Sequence, residues 1–152
     1  MSFRGSYNLA VDVKGRIAIP TRFRDEIVQI SAGNLVVTYD PDGCLFVYPT
    51  PEWDEQQRKL ERLPNLNAKA RKIQRNYIGN AVDCEMDSQG RVLVPANLRD
   101  KIGLDKKAVL VGQGSKFELW DEDRWNEVSE AITKEDLMLD DDLGEGLAGI
   151  SL

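Results

Sequence analysis

Residues 12–25 read DVKGRIAIPTRFRD, and residues 87–100 read DSQGRVLVPANLRD. The two stretches share Asp, Gly, Arg, Pro, Arg and Asp at matching places, and Ile17 and Ile19 are answered by Val92 and Val94. They lie half a chain apart in a protein of 152 residues. The likeness runs outward: Leu35-Val36 matches Leu110-Val111, Leu45–Tyr48 matches Phe117–Trp120, and Trp53 matches Trp125. Each half therefore carries the same order of elements. Half of this chain has a marginal core by itself, so the two halves are expected to pack as one unit. Two copies are too few for a solenoid and suit a pseudo-twofold domain.

Within each half the elements are short. Tyr7–Val11 and Arg16–Ile19 read as strands joined by Asp12-Val13-Lys14-Gly15, where Gly15 supplies a positive φ. Asp87-Ser88-Gln89-Gly90 is the second such turn. Thr21 is expected to cap a helix over Arg22–Gln29, with Phe23, Ile27 and Ile30 at helical spacing. Pro95–Ile102 repeats it, and Gly103 ends it. Strands Asn34–Tyr39 and Cys44–Tyr48 follow, around the turn Asp40-Pro41-Asp42-Gly43, and Ala108–Gly112 and Lys116–Trp120 are their copies. Thr50 reads as the N-cap of a closing helix to about Leu63, with Pro51 at its first position, and Asn67 caps a further helix over Ala68–Ile78. The expected fold is mainly β with short helices (α+β), a small barrel of interleaved hairpins. The divisions are residues 1–53 and 81–125 as the two repeats, 54–80 as a helical connector, and 126–152 as an acidic tail.

Charge is uneven along the chain. Of 26 acidic and 20 basic residues, positions 117–152 hold 12 acids and 2 bases, which leaves 14 acids and 18 bases ahead of them. A basic body with an acidic appendage points to a polyanion partner. The chain has no histidine, which excludes the usual nucleophilic triads and most zinc sites. Cys44 and Cys84 lack metal or redox spacing and read as small core hydrophobes. No phosphate loop or paired-carboxylate cluster stands out, so neither an enzyme, a cofactor, a metal site nor a small-molecule substrate is expected. No run approaches the roughly 18 apolar residues of a membrane span, and the opening MSFRGSYNLAVDVKGR lacks the apolar stretch of a secretory signal. A cytoplasmic protein without a membrane partner is expected.

The paired D-x-x-G-R-[IV]-x-[IV]-P segments, with Phe3-Arg4-Gly5, LFVYPTPEW from Leu45 to Trp53 and VGQGSKFELWDEDRW from Val111 to Trp125, resemble the MraZ family of bacterial proteins. The resemblance implies two tandem AbrB-like motifs forming a swapped-hairpin barrel. It also implies a homo-oligomer closed into a ring. It further implies a transcriptional repressor, associated with the nucleoid, of the division and cell-wall operon that contains its own gene. Its partner would be double-stranded DNA bearing short G-rich direct repeats.

Arg16 and Arg91 end the two turns. Arginine pairs bidentately with guanine O6 and N7, but Asp12 with Arg16 would equally make an internal ion pair that pins the turn. Spacing leaves these readings even; the resemblance favours DNA contact. Asp12 and Asp87 would repel phosphate, so they are read, with Gly15 and Gly90, as turn-orienting residues that accept backbone N–H bonds. Lys14 is a phosphate contact, and Ser88 and Gln89 are contacts to base or backbone, so the first turn should depend more on salt. Arg4, Arg22, Arg24 and Arg99 are secondary DNA candidates. The plainer reading of the helix arginines is a solvated face with local pairs such as Arg24 with Asp25. Lys69, Arg71, Lys72 and Arg75 make a basic face beside the apolar stripe Ala70, Ile73 and Tyr77. That face would meet another subunit or, through Lys72 and Arg75, DNA. Tyr48, Trp53, Trp120 and Trp125 read as core.

One turn supplies about 1–3 kcal/mol of discrimination per good arginine–base pair, below the roughly 4–10 kcal/mol margin of a specific complex. A ring that repeats the turns over repeated boxes closes the gap by avidity. The tail, with Leu137, Leu139, Leu143, Leu147 and Ile150 among its acids, is expected to lower nonspecific DNA affinity by repulsion. The alternative is an antitoxin-like or architectural module that works mainly through protein partners.

Overall fold

The computed structural model describes residues 2–137 and 150. In chain order the elements are β1 (Phe3–Ala10), β2 (Arg16–Ala18), α1 (Thr21–Ser31), β3 (Asn34–Asp40), β4 (Cys44–Pro49), α2 (Thr50–Glu61), α3 (Ala68–Tyr77), β5 (Val82–Glu85), β6 (Arg91–Leu93), α4 (Ala96–Lys101), β7 (Lys107–Gly114), β8 (Phe117–Asp121) and α5 (Glu122–Glu130). The result is an antiparallel sheet with short helices. Leu139, Leu143 and Leu147 of the tail lie outside the described residues, while Leu137 and Ile150 are exposed.

The main sheet runs β1-β7-β8-β4-β3-β5, and β2 pairs with β6 as a separate two-stranded ribbon. If the halves are exchanged, β1 becomes β5, β3 becomes β7 and β4 becomes β8. The strand order is then simply reversed, which is the pseudo-twofold of the repeat written in hydrogen bonds. Strands of one half pair repeatedly with strands of the other: β1 with β7, β3 with β5, β4 with β8, and β2 with β6. Neither half completes a sheet by itself, because its first strand finds its ladder only in the other half.

The described strands form this sheet and the ribbon, and no closed barrel is found among the described residues. β1 and β5 stand at opposite ends of the strand order. β2 and β6 pair with each other in three-residue ladders, and one isolated bridge, Met86 to Val92, joins the end of β5 to β6. Below the ribbon, Ile17, Ile19, Val92 and Val94 are buried in the main core with Leu35, Leu45, Leu110 and Leu119. Phe3 stacks on Phe117 with centroids 4.2 Å apart, and Phe23 of α1 meets both edge-on. The N-terminal Phe3 is thus a core residue, so β1 begins four residues earlier than the Tyr7 expected from pattern.

A second cluster of Val36, Tyr48 and Trp53 lies under α2 and α3. Three hydrogen bonds fasten the end of α3 to β3: Thr38 Oγ1 to the Tyr77 carbonyl (2.7 Å), Asn76 Nδ2 to the Tyr39 carbonyl (2.8 Å), and the Tyr77 hydroxyl to Asp40 Oδ1 (2.6 Å). Burial, then the bond to Asp40, pushes the Tyr77 phenol up from its ordinary range. Trp120 is buried, and Trp125 rests half-buried against it at 5.9 Å. Cys44 is buried and Cys84 half-buried, and neither is in a disulfide. Burial holds the Cys84 thiol up at about 11.

Helix entry departs from expectation at two places. Thr21 and Thr50 are the first residues of α1 and α2, not their caps; Pro20 and Pro49 occupy the cap positions, with no side-chain cap bond. Proline has its φ already near the value needed at a helix start, so the turn forms without a hydroxyl. Asn67 does cap α3, its Oδ1 accepting from the Ala70 N–H at 3.1 Å.

Candidate nucleic-acid interface

Alternation along β2 and β6 decides which way the arginines face. Ile17 and Val92 are each 2% exposed and point into the core. Side chains alternate along a strand, and directly opposed residues share a face. The register sets Arg16 against Leu93 and Ala18 against Arg91. Arg16, Ala18, Arg91 and Leu93 therefore occupy the single outer face of one ribbon. The two arginines stand diagonally across it, about 8 Å apart at Cα from strand geometry. Leu93, 54% exposed, is opposite Arg16 and next to Arg91 on that face. The turn sequences named the arginines, but the shared face needed the β2–β6 pairing.

Each turn is closed by its own aspartate. Asp12 Oδ1 accepts the N–H groups of Lys14 and Arg16, both at 2.9 Å, and Oδ2 accepts from Arg16 Nε at 2.8 Å. The Arg16 backbone bond and then its guanidinium hold the Asp12 carboxyl down to about 2. In the second turn Asp87 Oδ1 accepts from Gln89 and Arg91 N–H at 2.9 Å. The Arg91 backbone bond comes first, and Gln89 follows, in holding Asp87 below the usual carboxylate range, and the charge of Arg16 across the ribbon adds to it.

The arginines differ. Arg16 is committed to Asp12. Arg91 Nε lies 3.6 Å from Asp87 Oδ2, beyond hydrogen-bonding range, and is buried without a partner. Its terminal nitrogen turns instead to Gln89 Oε1. Both side chains reach solvent, at 28% for Arg16 and 36% for Arg91. The first turn thus carries an internal ion pair, and the second carries only a loose one.

The turn glycines are constrained twice. Gly15 and Gly90 adopt φ of +90° and +78°, in the left-handed region. Each also lies under an arginine of the opposite half. A Cβ on Gly15 would sit 2.3 Å from Arg99 Cζ, and one on Gly90 would sit 2.1 Å from Arg24 Nε. Arg24 Nε donates to the Ile19 carbonyl at 2.7 Å, and Arg99 Nε to the Val94 carbonyl at 3.0 Å. Backbone bonds cross the halves at the same points, from Ile19 N–H to Gly90 O (2.8 Å) and from Val94 N–H to Gly15 O (3.1 Å). Arg24 and Arg99 are therefore half-buried plates, not members of a solvated face, and Arg24 makes no ion pair with Asp25.

A family model described as "MraZ protein, putative antitoxin-like" matches residues 2–76 and again residues 77–142. The chain belongs to the MraZ family. A protein of Thioalkalivibrio sulfidiphilus named transcriptional regulator MraZ is 55% identical over 123 residues, 81% of this chain and 82% of its own. A Pseudomonas aeruginosa protein of the same name is 54% identical over 130 residues, covering 85% and 86%. One from Nitrosospira multiformis is 46% identical over 150 residues, covering 99% of each. The two MraZ matches divide the chain at 76/77, so each carries one Asp-turn-Arg segment.

The remaining candidates in this MraZ chain are dispersed. Arg22 is exposed at the start of α1, over the Phe23 ring and bonded to the Tyr7 hydroxyl at 2.8 Å. Arg4 is exposed on β1 opposite Gln113. Lys72 and Arg75 are exposed on α3, which packs on α2 and β3 and not on the ribbon. Lys14, Ser88 and Gln89 are exposed at the turn tips. Among the described residues, no group of acidic or cysteine side chains is arranged to hold a metal ion, and no helix is long and apolar enough to cross a membrane.

Proposed function

We propose that this protein is a sequence-specific DNA-binding transcriptional regulator that represses the division and cell-wall operon containing its own gene. The observation that carries the reading is the placement of Arg16 and Arg91 on one outer face of a two-stranded ribbon. A major groove about 12 Å wide admits such a ribbon. Arg16 and Arg91 then reach guanine edges, Lys14 a phosphate, and Ser88 and Gln89 a base or the backbone. Asp12 and Asp87 hold the turns and keep their carboxylates engaged away from phosphate. The curated relatives' names support regulation of transcription.

The interleaved strand pairing supports a swapped-hairpin AbrB-like arrangement of the two repeats. A closed ring of copies would present many such ribbons to G-rich direct repeats, about one helical turn apart, and convert weak contacts into avidity. A cytoplasmic location on the nucleoid follows from that partner. The protein-partner alternative draws on an apolar groove between α2, α3 and β4, lined by Phe46, Tyr48, Trp53, Leu60, Leu63 and Tyr77.

The test is binding to DNA upstream of the protein's own gene across a salt series, using wild type, Arg16→Ala, Arg91→Ala and the double variant. The reading expects loss of specific binding with assembly intact. Variants that unfold or dissociate without a selective DNA defect would return the arginines to a purely internal role. A wild-type protein that prefers its own upstream DNA no more than random duplex would sink the proposal.

A further inference from the structure

We propose that Arg24 and Arg99 are positioning residues that brace the DNA-facing turns crosswise, each holding the turn of the opposite repeat. This rests on the reading of the turns as the DNA-contacting elements. Four observations converge on it. Each guanidinium lies against a turn glycine of the other half, closely enough that a Cβ would overlap it. Each Nε donates to a carbonyl at the exit of its own ribbon strand, Ile19 or Val94, which fixes the plate from behind. The N–H of that same residue donates to the opposing turn glycine, so plate and backbone hold one point together. The arrangement is duplicated under the pseudo-twofold, with Arg24 over Gly90 and Arg99 over Gly15.

The consequence is a shared mechanical unit. Arg24 lies in the first repeat but sets the second turn, and through it Arg91. Arg99 lies in the second repeat and sets the first turn, and through it Arg16. A flat guanidinium with a fixed Nε–H fits this role, and a lysine does not: its ammonium is a point charge on a flexible stem, without the plane that covers the glycine. Bracing and phosphate contact therefore make opposite predictions for Arg→Lys. A phosphate contact survives the change because the charge survives; a brace fails.

The first measurement needs no DNA. Amide hydrogen exchange in peptides spanning the two turns is compared for wild type, Arg24→Lys and Arg99→Lys. Arg24→Lys is expected to speed exchange at Gly90–Arg91 by about tenfold and to leave the Lys14–Arg16 turn unchanged; Arg99→Lys does the reverse. Faster exchange in the variant's own half, or in neither turn, overturns the proposal. The second measurement is DNA affinity in double-variant cycles. Arg24→Lys is expected to be non-additive with Arg91→Ala and additive with Arg16→Ala, and Arg99→Lys to show the mirror pattern. Crosswise exchange without any DNA preference would leave the brace standing and fail only the DNA reading.

If a lysine variant does not fold, wild type decides. Without DNA, Arg24 and Arg99 should resist an arginine-directed dicarbonyl reagent while exposed Arg22 reacts. Reaction of Arg24 at the rate of Arg22, with protection appearing only when DNA is added, would make it a phosphate contact and end the proposal.

Discussion

The two turns share a backbone and differ in what they do with their arginines. In the first, Asp12 Oδ2 takes Arg16 Nε at 2.8 Å. In the second, the corresponding separation is 3.6 Å, and Arg91 turns to Gln89. The tips differ as well: Val13 and Lys14 stand where the second turn has Ser88 and Gln89. One scaffold therefore presents a locked guanidinium beside a cation and a loosely held guanidinium beside a neutral hydroxyl and amide. The two repeats share the Asp, Gly and Arg that make the turn and differ at the tip residues between them.

The largest expected effect erases the comparison by destroying one of its two turns. Gly15→Val or Gly90→Val puts a β-branched side chain at a positive φ and into the opposing arginine. Each should cost about 2–4 kcal/mol of stability, read by denaturant unfolding. Next, Arg16→Ala and Arg91→Ala should each weaken binding to the upstream DNA by about 10–100-fold. The double variant should retain only binding that does not distinguish that DNA from random duplex. Equal affinity for both DNAs in wild type would remove the premise.

A smaller effect exchanges the tips. Lys14→Gln should reduce the slope of log affinity against log salt by about one, and Gln89→Lys should raise it by about one. Unchanged slopes would place the tips away from the backbone. The smallest is in acid. Asp12 has its carboxyl held down to about 2, below the roughly 3.9 of an unfolded aspartate. Its contribution to folding is fully present above that unfolded value and is lost as pH falls from about 4 toward 2. Protection of the Lys14–Arg16 amides, measured relative to the intrinsic exchange rate at each pH, should fall over that window, and Asp12→Asn should abolish that fall.

Much of this was written in short-range pattern. The repeat predicted two matched sets of elements, Gly15 and Gly90 marked the turns, and Asn67 marked the start of α3. What pattern missed was long-range. Phe3-Arg4-Gly5-Ser6 has no strand alternation convincing enough to extend β1, yet pairing with β7 makes it one. Local pattern marks Thr21 and Thr50 as caps, but Pro20 and Pro49 hold the cap positions because proline's fixed φ starts the helix without a hydroxyl. Arg24 and Arg99 read as surface charge from local pattern because the glycines they cover, Gly90 and Gly15, are 66 and 84 residues away along the chain.

The sequence by itself determined the duplication, the turn chemistry and the identity of the four arginines, because each depends on residues close together in the chain. Only the tertiary structure decided that Arg16 and Arg91 share one face, that Arg24 and Arg99 lie over the opposite turns, and that β2 and β6 pair as a separate ribbon. Those outcomes depend on which strand pairs with which. Strand partners are chosen by burial and hydrogen bonding between the halves, and no local run of residues encodes that choice.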